Sequence, residues 1–123
     1  MVDIPEAPGL VVPLGGIAVH PENAPGHRPE RAVVRVWGEV DESLRPAASE
    51  ALMALLGHAG PVVVDLADLT FIDSSGLAFL MQLRRFCDDA GHRLAVLDPP
   101  DLLLALLDVI GVRDAVDLEF RRN

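Results

Sequence analysis

The sequence predicts an α/β fold: a single domain with a mainly parallel sheet of four to five strands and alternating helices. Three observations carry this. Short β-branched runs alternate with amphipathic stretches of ~10–15 residues, the βαβ rhythm. The connections between them are short. Pro61–Leu66 (PVVVDL) is short and nearly all apolar, as expected of a strand covered on both faces. With 123 residues, half of them hydrophobic, the chain fits one ordinary domain with a real core.

Residues 1–30 hold Pro5, Pro8, Pro13, Pro21, Pro25 and Pro29 and read as an N-terminal arm, with a short edge strand around Ile17–His20. The folded domain is expected over 31–123. Ala32–Trp37 is a strand stopped by Gly38. Leu44, Ala48, Ala51, Leu52, Leu55 and Leu56 recur at helical spacing, with Ser43 as cap, Pro46 in the first turn and Gly57 as terminator. After the Pro61–Leu66 strand the chain exits through Asp65–Asp68 and returns through Leu69–Ile72. Ser74 or Ser75 then caps a helix to about Ala90, closed by Gly91. Arg93–Leu97 is a strand. Asp98-Pro99-Pro100-Asp101 starts a helix over Leu102–Ile110, with Asp98 as capping side chain, and Val116–Phe120 is a last short strand.

Composition removes whole classes of function. The net charge is −9, and there is no Lys, so a nucleic-acid partner is not expected. No apolar run reaches the ~18–20 residues of a membrane span, and no signal-peptide pattern opens the chain. With Cys87 the single cysteine, a cytoplasmic, reducing location is expected. The scattered His20, His27, His58 and His92 form no metal-ligand pair, and no nucleophile elbow or phosphate loop is present, so no cofactor, metal or catalytic residue is expected.

The informative stretch is Val62–Phe79 (VVVDLADLTFIDSSGLAF), where a buried strand leads into Asp73-Ser74-Ser75-Gly76 at the start of a helix. Free N–H groups and the positive end of the dipole make a helix start receptive to anions. A serine there is exposed and tolerates a phosphate of about −1.5 to −2 charges. Alone, the four letters DSSG signify an ordinary helix cap. In context, Thr70–Leu77 (TFIDSSGL) after VVVDL, Gly38-Glu39-Val40-Asp41 after the preceding strand, and Pro99…Ile110-Gly111-Val112 resemble, in that order, the STAS domain family. Within that family the resemblance is specifically to sporulation-type anti-sigma-factor antagonists. It spans roughly 31–120. The proline-rich leader is longer than usual for the family, and many relatives carry a further helix after the position of Phe120.

The resemblance implies a switch by exchange of partners. An unphosphorylated antagonist binds an anti-sigma factor that is also a serine kinase, which frees the sigma factor. Phosphorylation of the first serine of the motif, here Ser74, dissolves the complex, and a phosphatase restores it. By position, Asp73 flanks the phosphoacceptor, Ser75 is the capping partner, and Glu39 and Asp41 lie in the turn implied to contact the kinase.

A helical wheel adds a surface. Phe79, Leu80, Leu83, Phe86, Cys87 and Ala90 form one apolar face, expected to be core. Ser74, Ala78, Met81 and Arg85 descend the other side, as a docking stripe for a partner helix or, equally for Met81, as cover for a neighbouring helix.

Two other readings compete. A phosphoaspartate receiver with Asp65 as acceptor lacks the lysine that chemistry requires. A non-switching STAS scaffold or transporter-associated module would use the same junction for packing or for an anionic ligand.

Overall fold

A computed structural model describes residues 14–22, 30–109, 111, 113 and 116–121. The strands are β1 (Gly15–Pro21), β2 (Ala32–Val40), β3 (Val62–Asp65), β4 (Leu69–Ile72), β5 (Leu94–Leu97) and β6 (Asp117–Glu119), and the helices are α1 (Arg45–Leu55), α2 (Ser74–Ala90) and α3 (Asp101–Val109). The sheet has six strands in the order β1-β2-β3-β5-β6, with β4 also beside β2. β1 is antiparallel to β2 along its whole length, and every other pairing is parallel. The expected edge strand is thus real and longer than Ile17–His20. The rest of the proline-rich arm, together with Ile110 and Val112, lies outside the described residues.

β3 and β4 lie end to end along the same side of β2. β3 pairs with Ala32–Arg35 and β4 with Gly38–Val40. The chain therefore does not return through Leu69–Ile72, as its sequence suggested. It jogs at 66–68, where Leu69 N–H donates to Leu66 O at 3.1 Å, and continues in the same direction. The cause is in β2, which does not stop at Gly38. Gly38 takes φ +71°, the left-handed region that glycine enters freely, and the pairing register shifts there. The strand kinks and then resumes as far as Val40.

The three helices among the described residues pack on one face of the sheet. Their buried residues, Ala51 and Leu55, Phe79, Leu83 and Cys87, Leu103 and Leu107, share one core with Val34, Val36, Val62, Val64 and Val96. The topology requires this. From β2 to β3, from β4 to β5 and from β5 to β6, each crossover advances the same way across the sheet, and right-handed crossovers in one direction put every helix on one side.

On the opposite face a small apolar centre of Val33, Val63 and Ala95 is buried against Leu97. Arginine ion pairs surround it. Arg31 is held between Glu22 (2.7 Å) and Glu119 (3.0 Å), with the Glu22 bond chiefly raising its pKa. Arg93 pairs with Asp117, and Arg121 with Asp65 and Asp98. Arg35 pairs with Asp68 and lies 4.6 Å above the ring of Trp37. The apolar run Val62–Val64 is covered on both faces, but by helices on one side only among the described residues.

α2 follows its wheel closely. Phe79, Leu83 and Cys87 are buried, Leu80 and Phe86 half-buried, and Ala78 and Arg85 exposed, whereas Ala90, at the last helical position, is exposed. Gly91 closes the helix at φ +74°. Burial first, then the charge of Asp88, pushes the Cys87 thiol up to about 11. Cys87 should therefore resist iodoacetamide at pH 8 in the native protein and react readily in denaturant, because the thiolate is the nucleophile. Mass spectrometry of the alkylated chain checks this, and fast native labelling would place Cys87 outside the core.

Candidate functional site at the ends of β2 and β4

The site follows from the register of two parallel strands. Glu39 is opposite Phe71 and Val40 opposite Ile72, and Asp73 N–H donates to Val40 O at 3.1 Å. The next residue on each strand, Asp41 and Asp73, is therefore brought to the same edge, and each starts a helical segment.

Asp41 Oδ1 accepts from Ser43 N–H at 2.9 Å and from the Ser43 hydroxyl at 2.6 Å, opening a single 3-10 turn (Glu42–Leu44) before α1. The Ser43 hydroxyl, then its N–H, hold the Asp41 carboxyl below the usual carboxylate range. Asp73 Oδ1 accepts from Ser75 N–H at 2.8 Å and Gly76 N–H at 3.1 Å, while its carbonyl takes the first helical bond from Leu77 N–H.

Three sequence expectations are corrected by this geometry. Ser43 is not the cap of the first helical segment, which Asp41 caps, and neither Ser74 nor Ser75 caps α2. They occupy its first two positions, and Asp73 is the cap. A carboxylate reaches the N–H groups of N2 and N3 at least as well as a hydroxyl does, and adds favourable charge at the helix start. Asp98 likewise does not cap α3. It accepts from Arg121 N–H and pairs with its guanidinium, and Leu104 N–H bonds Pro100 O.

The helix start is correspondingly less open to anions than the sequence implied, because Asp73 already takes two of its free N–H groups. Ser74 is exposed at the first helical position, while Asp73 and Ser75 are half-buried. Gly76 is buried, and a Cβ there would lie 2.5 Å from Ile72 Cγ1 and 2.8 Å from Val40 Cγ1. Only glycine lets the first turn of α2 sit this close to β2 and β4, so Gly76 fixes where Ser74 is presented.

Around Ser74 the remaining candidates divide. Glu39 is exposed and Asp41 half-buried, on the neighbouring strand end. Ala78 and Arg85 are exposed on α2. Met81 is half-buried against the core and lines an apolar cavity with Leu80, Leu103, Leu107 and Val116. The stripe from Ser74 to Arg85 is thus broken at Met81.

Phe71 escaped the sequence reading. It is 54% exposed beside Glu39, at the strand end that leads to Ser74. The available signal was a repeated pattern, an apolar strand followed by Asp-x-Ser (Asp41-Glu42-Ser43 and Asp73-Ser74-Ser75). It marks two equivalent strand-to-helix junctions lying side by side.

Comparison with known proteins agrees with this architecture. The family described as "Mlab, STAS domain" matches residues 23–119. The anti-sigma-B factor antagonist of Bacillus subtilis (strain 168) is 26% identical over 85 residues, 69% of this chain and 78% of that protein. The anti-sigma factor antagonist SpoIIAA in its unphosphorylated form superposes with a TM-score of 0.65 at 19% identity, covering 86% of this chain and 90% of SpoIIAA. A DUF3478-family protein of SpoIIAA-like fold from Shewanella loihica PV-4 does so at 0.62 and 17%, covering 94% and 93%. No helix among the described residues is long and apolar enough to cross a membrane. With the family match spanning most of its length and the fold shared with SpoIIAA, this chain belongs to the STAS domain family.

Proposed function

We propose that the protein is an anti-sigma factor antagonist: a binding module, not an enzyme, that engages an anti-sigma factor with serine kinase activity when Ser74 is unmodified. Phosphorylation of Ser74 releases it, a phosphatase resets it, and the outcome is control of sigma-factor-dependent transcription in the cytoplasm. The observation that carries this reading is the exposed Ser74 hydroxyl on the first turn of a tightly capped helix, beside a second acidic strand end.

Electrostatics supply the switch. Ser74 sits next to Asp73 and close to the Glu39–Asp41 turn, so a phosphate adds about −1.5 to −2 charges to an already acidic edge. Two of the N–H groups that would otherwise stabilise it are bonded to Asp73. The added charge therefore acts mainly outward, on whatever partner approaches. Glu39, Asp41, Asp73, Ser74 and Ser75 form the contact surface, extended down α2 by Ala78, Arg85 and the exposed part of Met81.

The test uses the purified protein and the serine-kinase anti-sigma factor encoded in the same genome. With ATP, wild type and Ser75→Ala should acquire one phosphate on Ser74 and leave the complex. Ser74→Ala should bind normally and acquire none. Phosphate on Ser75 at the normal rate would refute the assignment, and binding by wild type with no phosphorylation would leave a non-switching scaffold.

A further inference from the structure

β4 is paired with β2 on one side only, because β5 ends at Leu97, opposite Asp65, and no strand among the described residues continues beyond it alongside β4. The start of α3 approaches that open edge instead. Between them lies an apolar notch lined by Leu69, Thr70, Phe71 and Ile72 of β4 and by Pro100, Leu102 and Leu103. Two large apolar side chains in its walls face solvent, Phe71 at 54% and Leu102 at 71%. Neither belongs to the core, and side by side on one notch they form an exposed apolar patch open to a partner.

Acidic residues flank the lining in sequence and in the strand pairing, Asp68 paired with Arg35 and Asp73 turned to the start of α2. Asp68 adjoins Leu69, Asp73 adjoins Ile72 and Asp101 adjoins Leu102, while Glu39 is opposite Phe71 in the strand pairing. Two described cations in this region are already committed, Arg35 to Asp68 and Arg121 to Asp98 and Asp65. A second copy of this chain, with its net charge of −9, would bring the same acidic rim against it. Residues 1–13 carry as charged side chains only Asp3 and Glu6, again of the wrong sign. A basic-rimmed protein surface with one protruding apolar side chain is complementary in both shape and charge.

We infer that the notch between β4 and α3 is the apolar anchor point for the anti-sigma partner, receiving an aliphatic or aromatic side chain flanked by Arg or Lys. This rests on the function proposed above and deepens it. Ser74 lies three residues beyond Phe71, so the anchor and the phosphoacceptor belong to one continuous surface. Interface energy concentrates in a few desolvated apolar contacts with a polar rim around them. A phosphate on Ser74 then adds charge beside an anchor whose partner groups are already matched to the unmodified rim.

The experiment places the photo-crosslinking residue p-benzoylphenylalanine at position 71 and, separately, at Arg85. Each protein is irradiated with the purified serine-kinase anti-sigma factor, without and with ATP, and the adducts are mapped by mass spectrometry. Alongside, Phe71→Ala and Leu102→Ser are titrated against the same partner. The expected result is a crosslink from position 71 to the partner that disappears on phosphorylation, and at least a tenfold loss of affinity in each variant with the melting temperature unchanged. A crosslink from position 71 to residues 1–13 or to a second copy would overturn the inference. So would full affinity of both variants while wild type binds and is phosphorylated, and that result would leave the proposed function standing. Failure of wild type to bind the partner at all would remove both.

Discussion

Leu83→Ala is expected to destabilise the protein by about 2–5 kcal/mol, the range for truncating a fully buried leucine. Leu83 has no exposed surface and sits at the middle of α2, where it meets the sheet and α3. It also lines the apolar cavity shared with Val64, Leu66, Leu103 and Leu107. Loose packing is thus already present at this point, between the sheet and α3. The lost methyl groups should therefore enlarge an existing void, which favours the upper part of the range. Equilibrium denaturation measures the effect, with a fall in melting temperature of order 10 °C for a domain of this size. Arg85→Ala on the exposed side of the same helix serves as the control and should stay within ~0.5 kcal/mol of wild type. Equal stabilities for the two variants would mean that α2 is not seated as described.

Much of the architecture could be read from the chain because the signals were local. The runs VVVDL and RLAVL, the spacing of Phe79, Leu83 and Cys87, and Gly91 after Ala90 each specify an element from within a few residues. What escaped was set by pairing between distant segments. Gly38 looked like a stop because a left-handed glycine ends many strands. Here the kink lets β2 bend and gain β4 as a second neighbour on the β3 side, at residues ~30 positions later in the chain. The apparent return through Leu69–Ile72 had the same origin, since a short jog and a reversal look alike in sequence. The helices fall on one face only because of the direction of three crossovers, which no single segment records.

The capping residues show a different kind of limit. Ser, Asp and Asn all rank highly as caps, so Asp41 against Ser43 and Asp73 against Ser74 could not be separated on propensity. Register decides it, because Val40 and Ile72 are paired and the following residue of each strand is the first free to turn. The arginine lattice on the second sheet face was hidden for a related reason. Alternation shows that Arg35, Asp65 and Arg93 share a face, but not that Glu22, Arg31 and Glu119 meet across its two edges.

The second large effect is expected at Gly76, where the fold and the site depend on one missing methyl group. A Cβ at this position would stand 2.5 Å from Ile72 Cγ1 and 2.8 Å from Val40 Cγ1. Both atoms are near the stems of buried or half-buried strand side chains, so neither can swing aside. The first turn of α2 must move outward instead, at a cost of about 1–3 kcal/mol for overpacking. That displacement strains the two bonds from Ser75 and Gly76 N–H to Asp73, and it shifts Ser74 relative to the Glu39–Asp41 turn. Gly76→Ala should therefore lower both stability and the rate of Ser74 phosphorylation, and the second effect should persist at temperatures where the variant is fully folded. Gly57→Ala is the matched comparison. No atom lies within 4 Å of the position its Cβ would take, and its φ is not in the left-handed region. Removing glycine there should leave stability unchanged or raise it by up to ~1 kcal/mol through the unfolded chain, with phosphorylation unaffected. Thermal melts and initial phosphorylation rates on the two variants separate the roles. Equal behaviour of Gly76→Ala and Gly57→Ala would show that the close approach of α2 to Val40 and Ile72 does not position the phosphoacceptor.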